Sequence, residues 1–328
     1  MHVVIVFVEV TRIAFASLAQ FVSTLSLCYV KIVHMKNVFN KNNFWFYIAL
    51  CIGVIGIILG SFFDLQISQA ICNMESPVGQ FVETYGIFFI FIPFTFGAVA
   101  LFKALIHHEK IAFKILAVAI LVVAYGGIFY ACYNTIHYKP HTWRYEISTP
   151  VALIISGVLP LVLGGIAFPL VRNSDNKQLI RTGLLLTLSF VVSLALIEGL
   201  KLLNCRPRYR FLISDELNTE GVAFRNWWEF RPFSVTSGDF YKSWPSGHTG
   251  YTSTLLTLPF ITRLLKKENK VLKYGLLCFG FAYLIFVALF RIIYGAHFLS
   301  DVSSGLVICL IPQIVFQYIF AGPHAKKI

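Results

Sequence analysis

The sequence predicts an all-α protein, a polytopic bundle of about eight transmembrane helices with both termini in the cytoplasm. Three observations predict it. First, 57% of the 328 residues are hydrophobic and 13% are charged, with a mean hydropathy of +0.75, which leaves too few charges to solvate a water-facing surface of this size. Second, apolar runs near the length of about 20 residues that a helix needs to cross the hydrocarbon core recur along the chain. Third, Lys and Arg gather in alternate loops between those runs.

The runs extend from Phe44 to Phe63, Ile87 to Ile106, Ile115 to Asn134, Thr149 to Val171, Thr182 to Leu203, Pro245 to Thr262, Val271 to Phe290 and Val302 to Ala321. Lys36 and Lys41 precede the first. Lys103, Lys110 and Lys114 lie between the second and third, Arg172, Lys177 and Arg181 between the fourth and fifth, and Arg263, Lys266, Lys267, Lys270 and Lys273 between the sixth and seventh, with Lys326 and Lys327 at the end. The stretch from Asp64 to Gly86, read as a loop, holds Asp64, Glu75 and Glu83 and no Lys or Arg. The positive-inside rule therefore puts both ends in the cytoplasm. The net charge of +12 is thus a topology signal, and no nucleic-acid partner is called for. Residues 1–34 form an apolar extension of open role, interrupted by Glu9, Thr11 and Arg12; residues 35–178 carry the first four spans and residues 179–328 the candidate catalytic core. The seven cysteines show no metal-ligand spacing. Cys72 and Cys205 both fall on the outer side, where pairing is open, and unpaired apolar thiols are the plainer reading.

Chemistry-bearing residues collect at the outer ends of the last four spans. Lys201 and Arg208, in KLLNCRPRYR, are seven residues apart, two helical turns, so both cations face one way if the helix continues through Pro207. Trp244 to Thr249 reads WPSGHT at a helix start, where the first backbone N–H groups lack intrahelical partners and bind anions. There Ser246 offers a hydroxyl, Gly247 lets an anion approach the backbone, and His248 stands beside it as a proton donor. In RIIYGAHFLSD, Arg291 adds a cation, and His297 and Asp301 are four residues apart. On a helix that spacing brings a carboxylate to one imidazole nitrogen and leaves the other free as a nucleophile. Singly, the cations read as snorkelling side chains and His297 as a helix-end histidine. Jointly, three clusters on the face opposite the basic loops read as a functional site. Glu198, one turn before Lys201, is read as its partner or as facing the bundle interior, and Trp227 and Trp228 as an interfacial belt.

With these residues the chain resembles the type 2 phosphatidic acid phosphatase superfamily, whose pattern is K-x6-RP, PSGH and SR-x5-H-x3-D. Lys201 and Arg208, Pro245 to His248, and Arg291, His297 and Asp301 match in order, over the C-terminal half. Tyr209 replaces the proline of the first motif and Phe290 the serine of the third, and Arg206 is a second candidate cation. The resemblance implies a membrane phosphatase without cofactor or metal, acting on a lipid phosphate or lipid pyrophosphate such as phosphatidic acid, diacylglycerol pyrophosphate, phosphatidylglycerol phosphate or undecaprenyl pyrophosphate. It implies His297 as nucleophile, Asp301 as its orienting carboxylate and His248 as general acid and base. Lys201, Arg208, Ser246, Gly247 and Arg291 would bind the phosphate. Alternatives are a sugar-phosphate phosphatase of the glucose-6-phosphatase type, a membrane phosphotransferase, and a non-catalytic lipid binder or transporter. The lack of an N-x-S/T acceptor points to a bacterial plasma membrane, with the site on its extracytoplasmic face.

Overall fold

The computed structural model describes residues 44–137, 147–173, 175–231 and 238–321; the expectations for residues 1–34, Lys36, Lys41, Lys326 and Lys327 lie outside them. The described residues fold as helices: α1 (Phe44–Ile71), α2 (Pro77–Tyr85), α3 (Phe91–Leu105), α4 (Ile111–His137), α5 (Thr149–Leu170), α6 (Asn176–Asn204), α7 (Tyr209–Leu212), α8 (Gly247–Thr252), α9 (Lys270–Ile293) and α10 (Leu299–Ala321). Among the described residues, seven helical stretches are long and apolar enough to cross a bilayer, and the chain is an integral membrane protein.

The remaining run, from Pro245 to Thr262, takes a different form. Six α-helical residues of α8 continue as twelve residues of 3₁₀ helix, Ser253–Leu264, a combination that rises about 33 Å, enough for the hydrocarbon core. The tighter winding has a local cause. Ser253, Thr254, Thr257 and Thr262 each donate a side-chain hydroxyl to the carbonyl three residues back, and Pro259 removes one N–H from the ladder. This segment is buried along nearly its whole length, whereas α1, α4 and α5 expose large apolar side chains such as Ile58, Val123 and Leu161, as lipid-facing helices do.

Without a hydrophobic drive between helices in lipid, close approach of small residues supplies the packing. Gly60 of α1 lies against the backbone of Ser300, and Gly305 of α10 against the Ser246 carbonyl, where a Cβ would collide. The basic loops gather at one end of the bundle: Arg172 and Asn173 donate backbone N–H groups to the Leu264 carbonyl at 2.8 and 3.0 Å, and Lys103 donates to the carbonyls of Phe168 and Val171 at the end of α5.

The stretch from Asp64 to Gly86 departs from the expected loop. α1 runs on to Ile71, and α2 follows, started by Pro77 and capped by Ser76, whose side chain accepts from the Gly79 N–H. Asp64 and Glu83 are buried instead of solvated, because buried arginines accompany them.

Candidate active site

The three motif clusters meet at the end of the bundle opposite the basic loops. Lys201 sits in the last turn of α6 and donates to Glu198 Oε1 at 2.8 Å; the Tyr251 hydroxyl donates to the same oxygen at 2.5 Å. The helix does not continue to Arg208. It stops at Asn204, with Cys205 in the left-handed region at φ 45°, because Pro207 cannot extend it. Lys201 and Arg208 nevertheless share the site: both bear electrostatically on His297. Arg208 is buried and donates to the carbonyl and carboxylate of Asp239 at 3.0 and 3.1 Å.

Ser246 caps α8, its hydroxyl accepting from the Thr249 N–H, so Pro245 precedes the helix instead of opening it. The Ser246 N–H donates to the Asp301 carbonyl at 3.0 Å, which leaves Gly247 and His248 as the first-turn donors. Gly247 lies beside Lys201: a Cβ there would be 3.0 Å from its Nζ. His248 Nε2 donates to the Glu83 main-chain carbonyl at 3.0 Å.

His297 lies in the turn between α9 and α10, which Gly295 permits by adopting φ 65°. The ring is buried, and Nδ1 is 2.6 Å from the Ser243 carbonyl oxygen. A carbonyl only accepts, so Nδ1 carries the proton and Nε2 holds the free lone pair. Burial, together with the positive charges of Arg291, Arg208, His248 and Lys201, holds His297 well below the usual histidine range.

Asp301 does not reach His297 as the one-turn spacing implied, because His297 precedes the helix. Its Oδ2 is 3.9 Å from Nδ1, too far for a hydrogen bond. The carboxylate instead closes the start of α10, accepting from the Phe298 N–H at 2.8 Å, in the manner of a capping box, and from the Ser243 hydroxyl at 2.5 Å. Ser243 therefore joins the two, its carbonyl on His297 and its hydroxyl on Asp301.

Arg206 is built into the same network. It is buried at 1% exposure and donates to Asp301 Oδ1 at 2.6 Å, Ser300 Oγ at 2.9 Å and Asp64 Oδ2 at 2.9 Å. The Phe298 and Phe224 rings lie 4.2 and 5.2 Å from its guanidinium carbon. Arg291, 1% exposed, pairs with Glu83. Arg210, also buried, has Nη1 3.4 Å from Glu83 Oε2 and donates its backbone N–H to the Gly295 carbonyl at 2.8 Å. Sequence reasoning passed over Asp64, Glu83, Arg210 and Ser243 as site residues; only the density of arginine after α6 and the lack of basic partners near Asp64 and Glu83 signalled them.

Trp227 packs between α1 and the second motif, donating to Ser61 Oγ at 2.9 Å and stacking on Trp244 with centroids 6.0 Å apart, while Trp228 is exposed. Cys72 is a free thiol and so is not bridged to Cys205, whose Sγ lies 4.0 Å from the Lys201 carbonyl oxygen. A cavity of about 540 Å³ opens at the basic end, lined by Lys103, His107 and Arg172; its lining holds one imidazole and no carboxylate, so it lacks a paired nucleophile and proton donor.

The arrangement can hold a tetrahedral anion among buried cations, with an unprotonated imidazole nitrogen on one side and a second imidazole to donate a proton. No curated protein and no solved structure matches the chain. Residues 182–321 match the family model described as the PAP2 superfamily, a stretch that begins within α6 and contains all three motif clusters. Over those residues the chain is similar to the PAP2 superfamily, whose members are phosphatases acting on phosphate esters.

Proposed function

We propose that the protein hydrolyses a lipid phosphate or lipid pyrophosphate through a phosphohistidine on His297. The observation that carries this reading is the committed tautomer of His297: Nδ1 bonded to the Ser243 carbonyl and Nε2 unprotonated, among Lys201, Arg208 and Arg291. The Nε2 lone pair attacks phosphorus in line, the bond from phosphorus to the ester oxygen breaks, and His248 gives that oxygen its proton. His248 then takes a proton from water, which attacks the phosphohistidine and breaks the N–P bond. Lys201, Arg208, Arg291 and the first N–H groups of α8 offset charge on the equatorial oxygens. Asp301 acts as a positioning residue through Ser243.

A lipid substrate fits a site at one end of a membrane bundle, where a phosphate at headgroup depth meets the buried cations. Phosphate release by the purified protein with EDTA present, from phosphatidic acid, diacylglycerol pyrophosphate, undecaprenyl pyrophosphate and glucose 6-phosphate, tests the reading. Release from a lipid, abolished in a folded His297→Ala variant, is expected. Substantial turnover in that variant would reject His297 as nucleophile, and a preference for glucose 6-phosphate would reject the lipid substrate.

A further inference from the structure

Arg206 is matched by the buried Asp64 and Asp301, whereas Arg208, Arg210 and Arg291 crowd around one buried carboxylate, which comes from outside the region that matches the family. Glu83 on α2 is fully buried. It pairs with Arg291, has Arg210 Nη1 at 3.4 Å and Nη2 at 3.5 Å, and lies 4.0 Å from Arg208 Nη1. One carboxylate cannot satisfy three guanidinium forks, even with Asp239 accepting from Arg208 Nε and Nη2. Arg208 Nη1, Arg210 Nη1 and Arg291 Nε accordingly have no hydrogen-bond acceptor, although all three arginines are more than nine-tenths buried. Buried donors left in that condition mark a place built for an anion with more oxygens and more charge than Glu83 supplies. The main chain of Glu83 also engages the site, since its carbonyl accepts from His248 Nε2 at 3.0 Å. The same residue thus occupies both the cation pocket and the proton donor.

We propose that Glu83 is the anion these arginines hold before substrate binds, and that the substrate's phosphate displaces it. The entering phosphate takes over Arg208, Arg210 and Arg291, and the accompanying shift of α2 releases the His248 N–H for the leaving oxygen. Arg210, which the family pattern does not include, becomes a phosphate ligand. α2 suits such a shift: it is nine residues long, and its outer face presents the exposed apolar side chains Val78 and Phe81. The identity of the incoming anion rests on the phosphatase reading; the competition itself is between two anions for one pocket.

Thermal unfolding of the purified full-length protein, titrated with inorganic phosphate, tests this without relying on turnover. Glu83→Gln removes the carboxylate's charge, so the variant should melt below wild type without phosphate, its three arginines repelling one another. It should reach half-maximal stabilisation at a phosphate concentration at least about tenfold lower than wild type. Glu83→Asp, which keeps the charge but is one methylene shorter, should fall between the two, and it carries the comparison if the Gln variant does not fold. Equal phosphate requirement in wild type and variants, or a higher one in the variants, overturns the role of Glu83 while leaving the phosphate site intact. Absence of stabilisation in every protein overturns the phosphatase reading and this inference with it.

Discussion

His297 is surrounded by cations, and that setting decides how it titrates. In the unfolded chain a histidine takes up a proton as pH falls below about 6.5, whereas the folded protein holds His297 neutral to a lower pH. Its contribution to stability is therefore complete above about pH 6.5 and declines as pH falls below that value, where only the unfolded state binds the proton. Wild type should lose melting temperature on acidification faster than His297→Gln; parallel loss would contradict the shift. The acid limb of kcat/KM, which reports the free enzyme, should likewise lie below pH 6.5. Arg206 makes a second prediction at this scale. Its partners Asp64 and Asp301 are both buried, and removing one member of a buried ionic network costs about 3–5 kcal/mol. Arg206→Ala should lower unfolding stability by that amount in denaturant melts and lower turnover as Asp301 loses its anchor. A change within about 0.5 kcal/mol, typical of surface substitutions, would refute its structural role.

At the scale of elements, the turn from α9 to α10 sets the site's geometry. Gly295 has φ 65°, and an added Cβ would lie 3.0 Å from Cys72 Sγ and 3.2 Å from the Arg210 N. Gly295→Ala should destabilise the fold by about 1–3 kcal/mol and reduce phosphate release, because the Gly295 carbonyl also holds Arg210; an unchanged melt and turnover would show that the turn relaxes freely. This turn was legible in the sequence as a motif spacing, but its conformation was not. A spacing of four from His297 to Asp301 fits a helical turn equally well, and only the start of α10 at Leu299 reveals that His297 precedes the helix. The apolar runs were legible because periodicity and length are local properties. Asp64 and Glu83 were not, since their partners lie 142 and 208 residues away and nothing local distinguishes a solvated loop carboxylate from a buried counter-charge. The 3₁₀ winding of Ser253–Leu264 was equally hidden, although its Ser and Thr residues are the ones that stabilise it.

For the whole molecule, the first helices do more than anchor the chain. α1 supplies Asp64 to the Arg206 network and α2 supplies Glu83 to Arg208, Arg210 and Arg291, so the region that matches the family draws two of its buried counter-charges from the region that does not. The separation of basic loops from the site at opposite ends predicts sidedness. In intact cells, a membrane-impermeant thiol reagent should label Glu220→Cys, in the loop between α7 and α8, and not Lys267→Cys, at the basic end; the reverse pattern would invert the topology. Transfer of the phosphoryl group to His297 leaves a covalent adduct that can be trapped. Protein denatured rapidly during turnover of a radiolabelled phosphate ester should retain an acid-labile, alkali-stable label on the peptide containing His297, lost in His297→Ala. Label on another residue, or continued turnover by His297→Ala, would contradict the account.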